Sequence, residues 1–428
     1  MKEAFLIYEK SLQRRQHESK RILEVDKMVT SHQMNYEPLN ETTAVALALR
    51  LGLYEEGTFL KCKEVSIDNQ HLVFQVTDDK NENRILIKQA LPKVNDGNQS
   101  ISRSNSTIGT TALLSAADYV PSLVPRVYYY DEALGVTIME DFSHLENIES
   151  GFIKGNTYPL LSEHIGTFLA NSLFYTSDYG LGAAQKKSFM KAFNRPDQCK
   201  NLENHFLTQF DSPSDYSDER VRNEIEQIRA DESLKHEVDK LQLTYKTNQD
   251  ALLHGHFQTR NIFASQTETK IVNYEFAHYG PLGADFGQFI ADLLLILISQ
   301  DSNNRERVFQ HIEKTWDVFS RTFTNLWNNE DVFLTHEKPT NLPDVLKQTL
   351  ENTIGFAGYE LIYKTIAQIK NSNSDGTHNT EHRFTTNQHA LRLGKKLIIE
   401  RRLFTELKDL RNYVEKTAVK KQHELATN

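Results

Sequence analysis

Cysteine is almost absent. The 428 residues contain two, Cys62 and Cys199, far apart and without the spacing of a metal-binding pair. A disulfide framework is excluded, and a reducing compartment is expected. Long apolar runs are missing too. The most hydrophobic stretch, 286–298, is interrupted by Gln288 and Asp292 and falls short of the roughly 20 residues that cross a bilayer, so a buried helix is expected there and no membrane partner. The first 35 residues carry charge every few positions and no apolar segment of signal-peptide length, which points to a cytoplasmic protein. Positive charge is not in excess. Lys and Arg total 49 against 58 Asp and Glu, a net charge of −9, which excludes a nucleic-acid binder relying on bulk positive charge.

What is present suffices for ordinary buried cores: 39% hydrophobic residues in a chain long enough for two or more domains. Residues 1–35 read as a helical extension. From 36 to 139 the pattern is that of a small lobe. Asn40 is placed to cap a helix that a glycine stops at Gly52. Alternating segments at 62–65, 72–76 and 84–89, with a turn at 78–81, predict three antiparallel strands. A helix over 108–117 and strands beginning near Val124 and Gly135 complete the lobe. From 140 to 405 the period becomes helical, with helices expected over 158–176, 220–248, 286–299, 305–327, 342–369 and 388–404. The polar tract at 371–382 is expected to be an exposed loop, and 406–428 a tail that frays. The fold class is α+β.

Polar residues concentrate between two short predicted strands. His254, Gly255, His256, Asn261, Asn273, Glu275 and Asp285 alternate there with apolar positions that can anchor the backbone. His254 is expected to hold the loop by hydrogen bonds, and Asp285, before Phe286 and Gly287, to cap a helix. An isolated Lys88 on a strand, a short connector, and a helical lobe bearing a polar loop and an acidic element follow the order of phosphoryl transfer in kinases.

On His254-Gly-His, Asn261 and Asn273-Tyr-Glu-Phe-Ala-His-Tyr-Gly-Pro-Leu-Gly-Ala-Asp-Phe-Gly, the chain resembles the aminoglycoside phosphotransferase branch of the kinase-like fold, and within it the methylthioribose kinase family. Leu39-Asn-Glu-Thr-Thr-Ala-Val-Ala-Leu, Ile87-Lys-Gln-Ala-Leu-Pro, Met139-Glu-Asp-Phe-Ser-His-Leu and Gly355-Phe-Ala-Gly-Tyr-Glu-Leu-Ile carry the resemblance across most of the chain. It implies a bilobal protein-kinase-like fold, with a small antiparallel-sheet N-lobe and a larger helical C-lobe. It also implies ATP and Mg2+ as cofactors for an active protein, and none for a degenerate one, with a small sugar as acceptor and a dimer with a second copy or a paralogue. By the same resemblance, Lys88 contacts phosphate, Met139, Glu140 and Asp141 form the hinge that reads adenine, and Asn69 lies in the loop covering the nucleotide. Asn261, Asn273 and Glu275 fall at metal-site positions, Tyr363 and Lys364 near phosphate and sugar, and His256 at the catalytic base.

Several of these positions depart from the family pattern. The family reads His-Gly-Asp where this chain has His256, an imidazole that can accept a proton but is a different base. Asp-Pro-Glu has become Asn273-Tyr274-Glu275, which leaves one carboxylate for a cation that prefers charged oxygens. The nucleotide-covering stretch 66–73 has no glycine and adds Asp68, Gly109 stands where a helix glutamate would pair with Lys88, and a tandem arginine pair is Tyr363-Lys364. A general base alone is worth roughly 10² to 10⁴ in rate. The expectation is therefore a kinase-fold protein impaired or inactive in phosphotransfer that binds a sugar or nucleotide, or stabilises a kinase paralogue. The alternative is an active ATP-dependent S-methyl-5-thioribose kinase of methionine salvage, with His256 and Glu275 reassigned.

Overall fold

The computed structural model describes residues 36–65, 71–80, 83–91, 103–194, 218–299, 302–329, 341–372 and 380–414. The helix expected within 1–35, Asn69 with its loop, most of the polar tract at 371–382 and the tail beyond 414 lie outside the described residues. The chain divides into two compact units, Met1–Thr110 with Pro125–Asp141, and Thr111–Val124 with Phe142–Asn428.

In the first unit, α1 (Glu41–Arg50) starts on a capping box: Asn40 Oδ1 accepts from Thr43 N at 3.0 Å, and Thr43 Oγ1 accepts from Asn40 N at 2.8 Å. Gly52, at φ +66°, ends it in the left-handed region that glycine enters without steric penalty. Strands β1 (Leu60–Glu64), β2 (His71–Asp78), β3 (Asn83–Ala90), β4 (Val127–Asp131) and β5 (Val136–Glu140) form one antiparallel sheet in the order β1-β2-β3-β5-β4. Their apolar positions, among them Phe74, Val76, Ile85, Ile87 and Ile138, bury against Ala44, Leu47 and Ala48 of α1. Each large side chain so buried contributes about 1.5–3 kcal/mol. Helix α2 (Arg103–Tyr119) links the units in sequence, and in the first its Thr110 hydroxyl lies 2.7 Å from that of Thr137 on β5.

The second unit is mainly helical. It contains β6 (Glu146–Asn147), α3 (Ile148–Ile153), α4 (Leu161–Thr176), α5 (Ala183–Ala192), α6 (Glu219–Ala230) and α7 (Glu232–Thr247). Four short strands follow, β7 (Ala251–Leu253), β8 (Ile262–Ala264), β9 (Thr269–Ile271) and β10 (His278–Gly280), then α8 (Ala284–Ser299), α9 (Ser302–Asn328), α10 (Leu342–Ser372) and α11 (Thr380–Glu400). Helix α8 is the buried helix expected from its composition: Phe286, Phe289, Ile290, Leu293 and Leu294 have no exposed surface. It packs on α10, and α9 on α4, through edge-on aromatic contacts such as Phe174 with Phe323. No helix among the described residues is long and apolar enough to cross a membrane.

Four elements differ from expectation. The single helix expected over 220–248 is two, broken at Asp231, whose carboxylate accepts from Leu234 N at 2.9 Å as the N-cap of α7. Val221, Ile225 and Ile228, and then Leu234, Val238 and Leu241, each keep helical spacing, but the step from Ile228 to Leu234 would turn the stripe by about 240° in one continuous helix, so the apolar pattern itself marks the break. The last helix, expected over 388–404, begins eight residues earlier, at Thr380, and ends at Glu400 in a 3₁₀ turn, Arg401–Leu403. Helices α3 and α5, of 6 and 10 residues, are not expected from the sequence, being too short to show a helical period.

Candidate functional site

The loop at 254–261 joins β7 to β8, and its shape follows from Gly255. That residue sits at φ +76°, and a Cβ there would stand 2.1 Å from the Phe276 carbonyl oxygen. His254, 3% exposed, donates from Nε2 to the Val272 carbonyl at 3.0 Å and accepts at Nδ1 from His256 N at 3.2 Å. Both ring nitrogens are thus used by a neutral imidazole, and burial pushes its pKa down to about 4.

Helix α8 holds the rest of the loop. Asp285 accepts from His254 N at 2.6 Å and from Gly255 N at 3.0 Å, Gln288 Oε1 from Phe257 N at 2.8 Å, and Asp292 from Thr259 N and Oγ1 at 2.8 and 3.0 Å. Residues 285, 288 and 292 share one face of the helix at i, i+3 and i+7. The expected helix cap at Asp285 is corrected: α8 begins at Ala284, and the carboxylate reaches back to the loop. Burial pushes the Asp285 carboxyl up to about 7, against the pull of the two N–H donors.

His256, at the predicted base position, accepts at Nε2 from Arg260 Nη2 at 2.9 Å. Burial, then the Arg260 charge with His254 and Lys364, pushes its pKa down to about 3, with Glu275 opposing. Its carbonyl accepts from Asn261 Nδ2 at 2.9 Å, and Asn261 Oδ1 accepts from Asn273 Nδ2 at 3.0 Å. Asn273 is exposed and is the one non-glycine described residue with positive φ, +68°, a conformation asparagine tolerates. Glu275 is buried at 6% exposure. For magnesium this is a poor donor set: one carboxylate, and two amides of which the Asn261 oxygen is occupied by the Asn273 amide. Among the described residues no three His, Cys, Asp or Glu side chains gather as a metal group. The residues present do not fit the carboxylate site that the resemblance implies.

Lys364 of α10 forms an ion pair with Asp292, the two side chains 14% and 13% exposed. Glu360, one turn earlier, is buried, and its carboxyl is pushed up by burial and eased back by Lys364. Burial also raises the half-buried Tyr363 phenol. The structure therefore brings His256, Asn261, Asn273 and Lys364 into one hydrogen-bonded and charged neighbourhood. Sequence reading missed Arg260, Gln288, Asp292 and Glu360 as members of it. The available signal was Gln288 and Asp292, polar residues at helical spacing inside an otherwise apolar helix.

In the first unit, Lys88 lies half-buried on β3, opposite Val73 of β2 and Thr137 of β5. Met139, on the adjoining strand β5, is buried, the Glu140 carboxylate accepts from Arg126 N at 3.0 Å, and Asp141 accepts from Gln75 Nε2 at 3.1 Å. Gly109 is a buried position of α2, next to the Thr110 hydroxyl that meets Thr137. Thr137 is the register neighbour of Lys88, so the helix approaches that part of the sheet with a hydroxyl.

The chain is 43% identical over 394 residues to a methylthioribose kinase of Geobacillus kaustophilus (strain HTA426), covering 91% of this chain and 100% of that one. It is 42% identical over 396 residues to a methylthioribose kinase of Geobacillus sp. (strain WCH70), covering 92% and 99%. It belongs to the methylthioribose kinase family. Among solved structures, the choline kinase of Cryptosporidium parvum Iowa II superposes with a TM-score of 0.50 at 12% identity, over 84% of this chain and 96% of that one, and shows the kinase-like fold. No protein-family model matches the chain. Within a methylthioribose kinase scaffold, then, this chain holds an imidazole and a guanidinium at the loop position from which the resemblance draws the base.

Proposed function

We propose that this member of the methylthioribose kinase family binds a small sugar or nucleotide and has lost most of its capacity for phosphotransfer, acting as a binding or regulatory protein. The observation that carries this reading is the bond from Arg260 Nη2 to His256 Nε2 at 2.9 Å. A general base needs a lone pair facing the acceptor hydroxyl and a pKa near the working pH. Here the lone pair is engaged by a guanidinium, and the pKa lies near 3. Loss of the base removes about 10² to 10⁴ in rate, and the amide pairing of Asn261 with Asn273 removes a separate support, the metal. The names of the relatives supply the candidate ligand, methylthioribose, and the kinase class supplies ATP. Methionine salvage, a cytoplasmic setting and a dimer follow from the same family reading.

The second reading, an active methylthioribose kinase, is favoured by the preserved loop frame. His254, Gly255 and Asp285 hold the backbone in place whatever stands at 256. The two readings separate in an assay of ADP release and sugar phosphorylation with ATP, Mg2+ and methylthioribose, run beside thermal shifts with each ligand. Ligand-dependent stabilisation without turnover is expected. The triple variant His256→Asp, Arg260→Gly, Asn273→Asp is expected to gain measurable turnover. Steady wild-type turnover that His256→Ala abolishes would decide for the active enzyme.

A further inference from the structure

Helix α9 sorts its charges onto two faces. Glu306, Phe309 and Glu313 converge on Arg411, whose guanidinium donates to Glu313 at 2.8 and 3.2 Å, pairs with Glu306 and lies 4.8 Å from the Phe309 ring centroid. Arg307, His311 and Lys314, at i, i+4 and i+7, share the neighbouring face. The nearest acidic residues on the helix are committed to Arg411, and neither Arg307 nor Lys314 pairs with a carboxylate among the described residues.

That face lines a cavity of about 330 Å³, walled opposite by Phe152, Tyr158 and Ser162, a volume within the range of small-molecule sites. Phe152 packs edge-on against Tyr158 at 5.5 Å and against His311 at 5.3 Å, which gives the cavity an aromatic wall. Ser162 Oγ lies 2.8 Å from His311 Nδ1. Burial pushes the His311 pKa down to about 4, so the ring is neutral at pH 7. The Ser162 hydroxyl and the neutral ring form one polar edge of the cavity. Ser162 belongs to the first turn of α4, a 16-residue helix whose N-cap, Leu160, offers no side-chain oxygen, so the positive helix end adds to the two cations. None of the lining residues belongs to the loop at 254–261.

The geometry points to a second small-molecule site in this cavity, for a phosphate monoester whose phosphate is held by Arg307 and Lys314 and whose apolar body packs on Phe152 and Tyr158. Arginine and lysine beside a helix N-terminus suit a dianion, and the aromatic wall selects esters over free phosphate.

Isothermal titration of the full chain with phenyl phosphate tests this, with inorganic phosphate and neutral benzyl alcohol as comparison probes. Phenyl phosphate is expected to bind more tightly than either. Arg307→Ala and Lys314→Ala are each expected to weaken it about tenfold at unchanged Tm, because both side chains are exposed. Phenyl phosphate binding that is absent at millimolar probe, matched by benzyl alcohol, or unchanged in the Arg307→Ala/Lys314→Ala double variant would overturn the proposal. The double variant also distinguishes this cavity from any phosphate binding at the loop.

Discussion

At position 256 an imidazole whose acceptor nitrogen is held by a guanidinium is a worse proton acceptor than an exposed histidine, because protonation would bring a second positive charge beside Arg260. Arg260→Ala is therefore expected to raise the His256 pKa while leaving it below the ordinary histidine value, since burial is the larger cause. An NMR titration of the ring nitrogens reads this directly, and an unchanged titration would show that the guanidinium does not control the ring. Gly255 is a sharper constraint. Any side chain at φ +76° is strained and must also displace the Phe276 carbonyl, so Gly255→Ala is expected to destabilise by at least about 2 kcal/mol in urea unfolding. Gly255 was legible as a loop glycine. The engagement of His256 by Arg260 was not, because four residues of loop sequence do not say which way two side chains turn.

At the scale of the element, α8 acts as a bracket. Its apolar face builds the core, and Asp285, Gln288 and Asp292 fasten four loop amides along one stripe. Asp292 has a second duty, because it also neutralises Lys364. Asp292→Ala strands a mostly buried ammonium and is expected to cost about 3–5 kcal/mol, whereas Asp292→Ala combined with Lys364→Met is expected to recover part of that loss. A double-mutant cycle in urea measures the coupling, and additive losses would show that the pair is not coupled. The helix itself was readable from its composition. That its polar residues hold the loop was not, since sequence places Asp285 next to a helix start and only the path of the chain from β7 brings the loop back to it.

For the whole molecule, three histidines with lowered pKa values contribute to the response to acid. His254, His256 and His311 have folded pKa values of about 4, 3 and 4, below the ordinary 6.5, so the unfolded chain takes up protons first as pH falls. Their contribution to stability is complete above about pH 6.5 and is lost as pH falls toward 4. His254 alone accounts for up to about 3 kcal/mol of this. Asp285, raised to about 7, has the opposite sign: its folded form binds the proton more tightly and gains stability between pH 7 and 4. Glu360, Glu149 and Asp250, also raised by burial, oppose the imidazoles as Asp285 does, so the imidazole part is read as the fall in stability between pH 6.5 and 4.5 that each histidine contributes. His311→Gln is expected to flatten that fall by about one proton's worth of slope. An equal slope in the variant would remove His311 from the account.

The amino-acid order alone determined the fold class, the capping box at Asn40, the antiparallel strands around Lys88, the buried helix at 286–299 and the family, because each rests on local spacing or on runs of matching residues. Only the tertiary structure decided that Asp285 anchors a loop and that Glu306 and Glu313 of α9 converge on Arg411. It also decided the state of His256. Whether an imidazole serves as a base depends on burial and on which cation lies 3 Å away, and neither is a property of neighbours along the chain.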